Sequence, residues 1–369
     1  MFDDDDDDDA DQEPRAPELS QDVQALIDNG LAFLDKAREE LEASKAKFSV
    51  VSFWTAVEIL LKVPLVHEHW TLVCSGKKVV RSKYVAGDFQ SVTYDETCTR
   101  LGDILEKPLP KETMTVFDKV RQHRNRVVHF YHPSFTDAEQ NQIQREQADA
   151  WFALNRLMRD EWKSIFGAKD SYSWKLAHGE TRLLRGSEFY AAVRLRQVKE
   201  ELDALAKSGK QIAVCDICKQ EAQVTQSHST GSEERTLFIT RCHVCTSQSR
   251  HILFSCPNCD ERQSLPEGDE PFTCDNCNEV VDRMTLLDEE TFRSVDEQEY
   301  SVLPAGCTNC MTPDSVCKLG DGYLCTHCLS YYEELHACGF CNHFSDSVPE
   351  LSHFRGCEFC DGDSRYHDD

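Results

Sequence analysis

The sequence predicts a mainly α-helical bundle in the N-terminal half and small zinc-stabilised modules, of α+β or β zinc-ribbon type, in the C-terminal half. Two observations lead to this fold class. Apolar residues recur at helical spacing from Leu19 onward, and seventeen of the nineteen cysteines lie between Cys215 and Cys360. With 369 residues, the chain is long enough for two or three ordinary domains.

Composition and helix-breaking residues place the domain boundaries. The acidic N-terminus cannot bury a core and is expected to be a disordered tail, and Ser208-Gly209-Lys210 marks the end of the helical half. The predicted divisions are a tail over 1–17, a bundle over 18–168, a connecting helix over 169–210, two four-cysteine ribbons over 211–285, a linker over 286–304 and two further four-cysteine modules over 305–369.

The net charge of −26 is unevenly distributed along the chain. It divides into −9 over residues 1–13, +2 over residues 14–210 and −19 over residues 211–369. Nonspecific nucleic-acid binding depends on lysine and arginine that neutralise phosphates. The charge therefore argues against the cysteine-rich half as a nucleic-acid binder, and no DNA binding is expected, whereas the near-neutral helical half remains open to RNA.

The N-terminus has no basic region followed by an apolar core, so the sequence predicts a cytoplasmic protein. The most apolar stretch, 50–66, is interrupted by Glu58, Lys62 and Pro64, so we expect a buried helix and no membrane span. In a reducing compartment, clustered cysteines are expected to be metal ligands before they are disulfides.

One helix of the predicted bundle, over 111–131, carries a charge on its apolar stripe. Arg124 lies between Val120 and Val127 at helical spacing. An unpaired buried arginine costs several kcal/mol, so Arg124 should face a cleft, a subunit interface or a carboxylate. Glu58 is the nearest carboxylate by pattern.

Beside that stripe lies a polar face formed by Arg121, Asn125, His129 and His132. This set suits RNA phosphodiester cleavage without a catalytic metal or cofactor. His129 would transfer a proton, Arg124 would hold the phosphate and the developing charge, and Asn125 would position the substrate. Since one histidine can hardly be both acid and base, we expect a homodimer that supplies a second copy.

The run Arg124-Asn125-Arg126-Val127-Val128-His129 resembles the Arg-polar-x-x-x-His motif of HEPN domains, and Ala56–Lys62 resembles a segment of an earlier helix in that family. The resemblance covers about residues 18–167. It implies an all-helical, dimeric, metal-independent endoribonuclease of toxin–antitoxin or antiviral defence systems, with a protein antitoxin or other regulatory partner. It also implies that Tyr131 is a candidate control site, since some family toxins are adenylylated at this position.

Two alternatives remain beside the enzyme. His129 is also compatible with a plain helix-end histidine, which the helix dipole favours. Arg124 is also compatible with a structural ion pair to Glu58 in a noncatalytic bundle that presents zinc modules to a protein partner. His67 and His69 are expected to lie at the surface, because residues two apart diverge on a helix.

The cysteine-rich half contains eight Cys-x-x-Cys pairs. Each pair can form a knuckle that supplies two thiolates, and two knuckles complete a tetrahedral site. We therefore expect four structural zinc ions per chain. The predicted ligands are Cys215, Cys218, Cys242, Cys245, Cys256, Cys259, Cys274, Cys277, Cys307, Cys310, Cys325, Cys328, Cys338, Cys341, Cys357 and Cys360.

Consecutive knuckles are expected to pair, although a cross-brace among the last four is an alternative. The first two sites resemble zinc ribbons, because strand-like residues precede a knuckle. The third resembles a GATA-type treble clef, which would begin a helix at Cys325–Cys328, but it lacks that family's basic residues. Cys317 is unpaired and is expected to be a buried thiol.

Overall fold

The computed structural model describes residues 19–76, 78–129, 136–289 and 302–362. The chain forms two compact units that divide principally between Lys199 and Glu200. The first unit is helical, and the second is rich in strands and cysteine clusters. The predicted layout of the two halves is therefore confirmed. The predicted tail, Tyr131 and most of the predicted linker lie outside the described residues.

The helical unit contains ten α-helices among its described residues. They are α1 (Gln21–Glu42), α2 (Ala46–Leu60), α3 (Val63–Glu68), α4 (Arg81–Val85), α5 (Tyr94–Asp103), α6 (Lys111–His129), α7 (Asp137–Arg156), α8 (Lys163–Phe166), α9 (Asp170–Gly186) and α10 (Glu188–Lys207). A 3-10 turn, Trp70–Val73, follows α3, and a π-helical turn, Leu157–Glu161, joins α7 to α8.

The core of this unit forms around α2. Helix α1 packs along α2, which also contacts α6 and α7. Phe53 and Trp54 are completely buried, and Gly30 allows the close approach of α1, since a Cβ there would lie 2.5 Å from the Leu60 side chain. Apolar burial of this kind is the main stabilising term for a helical bundle.

The segment Ala46–Glu68 is the one described helical stretch whose length and composition would allow it to cross a membrane. Its most apolar window is 67% buried inside the protein, as expected for the core helix of a globular unit. This burial agrees with the prediction of a buried helix.

Two helices depart from the sequence-based expectation. The helix expected to end at Gly167 is interrupted by the π turn after Arg156. Residues 169–210, expected as one connecting helix, form α9 and α10, and Tyr190 of α10 is buried against Trp151 and Phe152. This segment therefore contributes to the helical core.

The second unit begins with a five-stranded antiparallel sheet in sequential order. Its strands are β1 (Ile212–Val214), β2 (Glu221–His228), β3 (Thr236–Cys242), β4 (Gln248–Ser255) and β5 (Arg262–Pro266). A hairpin of β6 (Phe272–Thr273) and β7 (Val280–Val281) follows, and then the short helix α11 (Arg283–Leu287).

A six-stranded sheet contains the remaining strands. They are β8 (Ala305–Cys307), β9 (Thr312–Leu319), β10 (Gly322–Cys325), β11 (Tyr331–Tyr332), β12 (His336–Ala337) and β13 (Phe344–Ser345), in the order β11-β10-β9-β8-β13-β12, with α12 (Ser352–Arg355) near the end. The expected treble-clef helix after Cys328 is wrong: β11 occupies this place and pairs with β10.

One apolar core joins the second and third cysteine modules. Its buried members include Ile252 and Phe254 from the first sheet, Leu287 from α11, and Leu319 from the second sheet. Arg283 crosses this region and donates to the carbonyl oxygens of Thr326 and Pro266 at 2.6 and 2.9 Å. The start of the predicted linker, up to Leu287, is thus part of the core.

Candidate functional site

Four groups of four cysteines lie in the second half of the chain. Within each group the Sγ atoms all lie within 4.8 Å of one another. The groups are Cys215/Cys218/Cys242/Cys245, Cys256/Cys259/Cys274/Cys277, Cys307/Cys310/Cys325/Cys328 and Cys338/Cys341/Cys357/Cys360. The structure therefore pairs the knuckles in sequence, including the last four.

The distances between sulfur atoms fit a tetrahedral metal ion. Seven Sγ–Sγ separations across paired knuckles lie between 3.6 and 3.9 Å. A tetrahedron with metal–sulfur bonds of about 2.3 Å has edges of about 3.8 Å. A disulfide would require about 2.05 Å, so these cysteines are not joined in disulfides. Each group can hold one structural metal ion such as zinc.

The knuckles share one backbone geometry. In the second group, for example, the N–H of Asp260 donates to the carbonyl of Cys256 at 2.9 Å, and the N–H of Cys256 donates to the carbonyl of Glu261 at 2.9 Å. Seven knuckles place a non-glycine residue with φ between 49° and 59° directly after the second cysteine. These residues are Lys219, Thr246, Asp260, Asn278, Met311, Leu329 and Asn342.

This left-handed conformation costs an L-residue about 1–2 kcal/mol. The turn nevertheless persists at seven positions with varied side chains. A metal ion held by the four sulfurs would contribute far more free energy than this strain removes, so metal binding would stabilise the turn.

Three asparagines inside knuckles donate hydrogen bonds to cysteine sulfurs. Asn276 Nδ2 lies 3.5 Å from Cys259 Sγ, and Asn309 Nδ2 lies 3.4 Å from Cys328 Sγ. A hydrogen bond from Asn258 is the largest of the effects that lower the pKa of Cys277 to about 6. Donors to sulfur favour the thiolate, which is the form that binds metal.

These asparagines were not predicted from the sequence, although they share a visible signal. Each occupies the position immediately before the second cysteine of its knuckle. In the fourth group, the matching positions hold Phe340 and Phe359, which have no donor. The second and fourth groups therefore differ in the support given to their thiolates.

Cys317 lies outside all four groups. It is completely buried in the core shared by the second and third modules, and burial strongly raises the pKa of its thiol. Such a thiol stays protonated and unreactive. This placement agrees with the expectation of a buried thiol.

Arg124 and Glu58 form an ion pair between α6 and α2. Arg124 Nη2 lies 3.4 Å from Glu58 Oε1, and their side chains are 23% and 34% exposed. The guanidinium also lies 5.9 Å from the centre of the Trp54 ring. The pairing expected from the sequence pattern is therefore present, and Arg124 still reaches the surface.

Asn125 and His129 follow Arg124 on α6. Asn125 is half-buried and His129 is exposed, and the helix ends at His129. His132 and Tyr131 lie outside the described residues. The described part of the polar face thus offers an arginine, an amide and an accessible imidazole on one helix.

The buried stripe of α6 follows a slightly different path from the predicted one. It consists of Thr113, Phe117, Val120 and His123. Arg124 was expected on this stripe but lies at its edge, because a step of three from Val120 reaches His123 whereas a step of four reaches Arg124.

The buried position is instead occupied by His123, which is only 8% exposed. Its Nε2 contacts the carboxylate of Glu146 on α7, and its Nδ1 lies 2.9 Å from Arg126 Nη2. The contact between His123 and Glu146 therefore joins α6 to α7. This pair was not predicted, because helical spacing alone allows either His123 or Arg124 to be buried after Val120.

The basic residues of α6 have acidic neighbours. Arg121 contacts Asp95 and Asp118, each at 2.8 Å, and Lys119 lies 3.9 Å from Glu146. Together with the Arg124–Glu58 pair, these contacts compensate much of the local positive charge. Any RNA bound here would have to exchange with surface carboxylates.

Comparison with protein-family models, with curated proteins and with solved structures finds no match for this chain.

Proposed function

We propose that the helical unit is a HEPN-type, metal-independent endoribonuclease and that the four cysteine groups hold structural zinc. The observation that carries the proposal is the arrangement of α6, which presents partly exposed Arg124, half-buried Asn125 and exposed His129 on one helix. These side chains supply the chemistry that RNA transesterification requires.

In this reaction, His129 moves a proton at the 2′-hydroxyl or at the leaving 5′-oxygen. The guanidinium of Arg124 donates paired N–H bonds to the phosphate and stabilises its developing charge. A two-fold dimer of α6 supplies the second histidine, so one acts as base and the other as acid. Asn125 orients the scissile phosphate.

The contact with Glu58 is compatible with this role. A partly exposed ion pair contributes only about 0–1 kcal/mol, whereas a charge-assisted, bidentate contact between arginine and phosphate is stronger. Glu58 thus holds the guanidinium in position, and RNA can take its place. The stack on Trp54 keeps the arginine oriented during the exchange.

The cysteine-rich unit has a separate role in this proposal. Its net charge of −19 over residues 211–369 disfavours phosphates, and four thiolates leave a bound zinc ion no open position for catalysis. We assign it to the binding of a protein partner or to regulation, as in toxin–antitoxin or antiviral defence systems.

A second candidate function is a noncatalytic HEPN dimer that presents the zinc modules to a partner. The compensation of Arg121 by Asp95 and Asp118, and of Arg124 by Glu58, favours it. In this case Arg124 is only a structural cation, and its removal would lower the stability of the fold without any effect on RNA cleavage.

The two functions separate in an RNA cleavage assay of the full-length protein without added divalent ions. The test variants are Arg124→Ala and His129→Ala. Their matched controls are Arg196→Ala, an exposed arginine that pairs with Asp149, and His67→Ala, an exposed histidine of α3. A brief exposure to EDTA is included, with zinc content measured in parallel.

The enzyme hypothesis expects wild type and both controls to cut RNA in EDTA, and both test variants to lose at least about 100-fold in rate, the order of a general acid–base contribution. Absence of cleavage by the wild type over varied RNAs would favour the scaffold.

A further inference from the structure

A cavity of about 770 Å³ lies in the helical unit. Its walls come from the start of α6, from α7, the π turn, α9 and α10. Small-molecule sites usually measure about 300–1,000 Å³. Arg124, Asn125 and His129 do not line it, so it is distinct from the proposed RNA site.

The cavity wall contains three buried polar atoms without a hydrogen-bond partner. They are Thr113 Oγ1, Asn155 Nδ2 and Arg194 Nε. Thr113 is 1% and Asn155 is 4% exposed. By contrast, the nearby Thr115 hydroxyl donates to the carbonyl of Lys111 at 2.9 Å.

Buried polar groups are nearly always paired, because an unpaired one loses its hydration without compensation. Three such atoms around one cavity indicate a ligand that supplies their partners. Two of them, on Asn155 and Arg194, can only donate, and the threonine hydroxyl can also donate. The part of the ligand that meets these donors must therefore carry acceptor oxygens.

The charges of the lining residues define the ligand further. Arg194 is positively charged and donates from Nη1 to Gln197 at 3.2 Å. Arg156 has no ion-pair partner among the described residues, whereas Arg159 is held by Glu180 at 2.8 Å and the lining Asp149 is held by Arg196 at 2.7 Å. An oxyanion satisfies this end. Glu112 and Asp160 are exposed at the same cavity, so the rest of the ligand should offer hydroxyl or amino donors.

The backbone next to the cavity is irregular. Immediately after Asn155 and Arg156, the α-helix widens into the π turn Leu157–Glu161, which brings Arg159 and Asp160 into the wall. Single π turns inside α-helices occur frequently at functional sites.

We propose that this cavity binds a small organic molecule with one phosphate or carboxylate group and a hydroxyl- or amino-bearing body. Asn155, Arg194 and Thr113 bind the oxyanion, and Glu112 and Asp160 face the polar body. This inference does not depend on RNA cleavage by α6.

The test is calorimetric titration of the full-length, zinc-loaded protein. Glucose 6-phosphate and adenosine 5′-monophosphate probe the phosphate source, gluconate probes the carboxylate source, and glucose is the uncharged control. We expect at least one anionic probe to bind with a Kd below about 1 mM, and glucose not to bind.

Asn155→Leu and Arg194→Met should each weaken that binding at least about tenfold. Arg185→Met, an exposed arginine of α9 outside the cavity, should leave it unchanged. Thr113→Val serves as a nearly isosteric variant if either of the others fails to fold. Absence of binding by every anionic probe, or equal binding by the cavity variants and Arg185→Met, would overturn the proposal.

Discussion

The helical unit buries large aromatic side chains completely, with Phe53, Trp54 and Phe117 among them. In the cysteine-rich unit, the cluster around Val316 has five buried members, and two of them are the metal-group residues Cys307 and Cys325. A fully buried apolar side chain contributes about 1.5–3 kcal/mol, whereas a structural zinc ion contributes about 10–16 kcal/mol. The first unit thus depends on its apolar core, whereas the second unit has, beside the apolar core around Ile252 and Leu319, four cysteine groups whose bound metal ions would contribute most of its stability.

The helical and the cysteine-rich parts of the sequence also differ in charge, and this difference bears on the proposed function. Residues 14–210 carry +2 and residues 211–369 carry −19. The first range is nearly neutral, whereas the second is acidic and contains four cysteine groups that can each hold a structural metal ion. Each of the following changes should affect one unit and leave the other intact.

Removal of zinc should have the largest effect. A strong chelator should unfold the strand-rich unit, because each cluster loses the ion that offsets four closely spaced thiolates. Hydrogen exchange followed by mass spectrometry should show lost protection across β1–β13 and retained protection in α1–α9. Elemental analysis before treatment should give four zinc ions per chain. Fewer than three zinc ions per chain, or equal loss of protection in both units, would contradict the claim that zinc stabilises only the strand-rich unit.

Phe53→Ala should have the next largest effect, at the helical unit. Truncation of a fully buried phenylalanine to alanine lowers the free energy of unfolding by about 3–5 kcal/mol. Phe48→Ala is the matched control, because Phe48 lies on the same helix and is 56% exposed. Urea unfolding followed by helix signal should show the loss only for Phe53→Ala, with zinc content unchanged in both variants. Zinc loss in Phe53→Ala would contradict separate sources of stability.

Replacement of Asn258 and Asn276 by alanine should weaken zinc binding at the second group about 10–100-fold, the usual range for residues that support metal ligands. The first and fourth groups lack such asparagines, but the cysteines of the first group are all buried whereas Cys341 of the fourth is exposed, so the fourth group should release zinc first in the wild-type protein. Competition with a chromophoric chelator, followed by mass spectrometry of labelled thiols, measures the order. Release of all four ions at one chelator concentration would contradict the predicted order of zinc release.

Met311→Gly should stabilise the third module by about 1 kcal/mol, because glycine adopts the left-handed conformation without the Cβ penalty. Met311 is exposed, so little packing is lost. Met311→Ala keeps the penalty and is the control. A rise in the thermal midpoint with glycine but not with alanine is expected; equal midpoints would show that the turn is not strained.

Glu58→Gln should have the smallest effect on stability, about 0–1 kcal/mol, since the pair with Arg124 is partly exposed. The enzyme hypothesis expects this variant to keep RNA cleavage, because glutamine can still hold the guanidinium as an acceptor. Equal destabilisation and equal loss of cleavage in Glu58→Gln and Arg124→Ala would indicate a purely structural pair.

The sequence was sufficient to predict the sixteen cysteine ligands and favoured the pairing of consecutive knuckles, although it left a cross-brace among the last four knuckles open. A Cys-x-x-Cys knuckle fixes two ligands locally, and short spacers leave the next knuckle as the nearest partner. The sequence could not predict that His123 rather than Arg124 is buried. Helical spacing permits a step of either three or four residues, and tertiary packing decides between them. The π turn after Arg156 and the strand Tyr331–Tyr332 likewise depend on contacts distant in sequence.

The most direct test of the proposed chemistry is end-group analysis of RNA cut by the wild-type protein in EDTA. A mechanism that uses His129 and Arg124 predicts 2′,3′-cyclic phosphate and 5′-hydroxyl ends, and no cleavage when the cut position carries a single 2′-deoxynucleotide. Cleavage of that deoxy-substituted substrate, or products with 3′-hydroxyl and 5′-phosphate ends, would contradict the account.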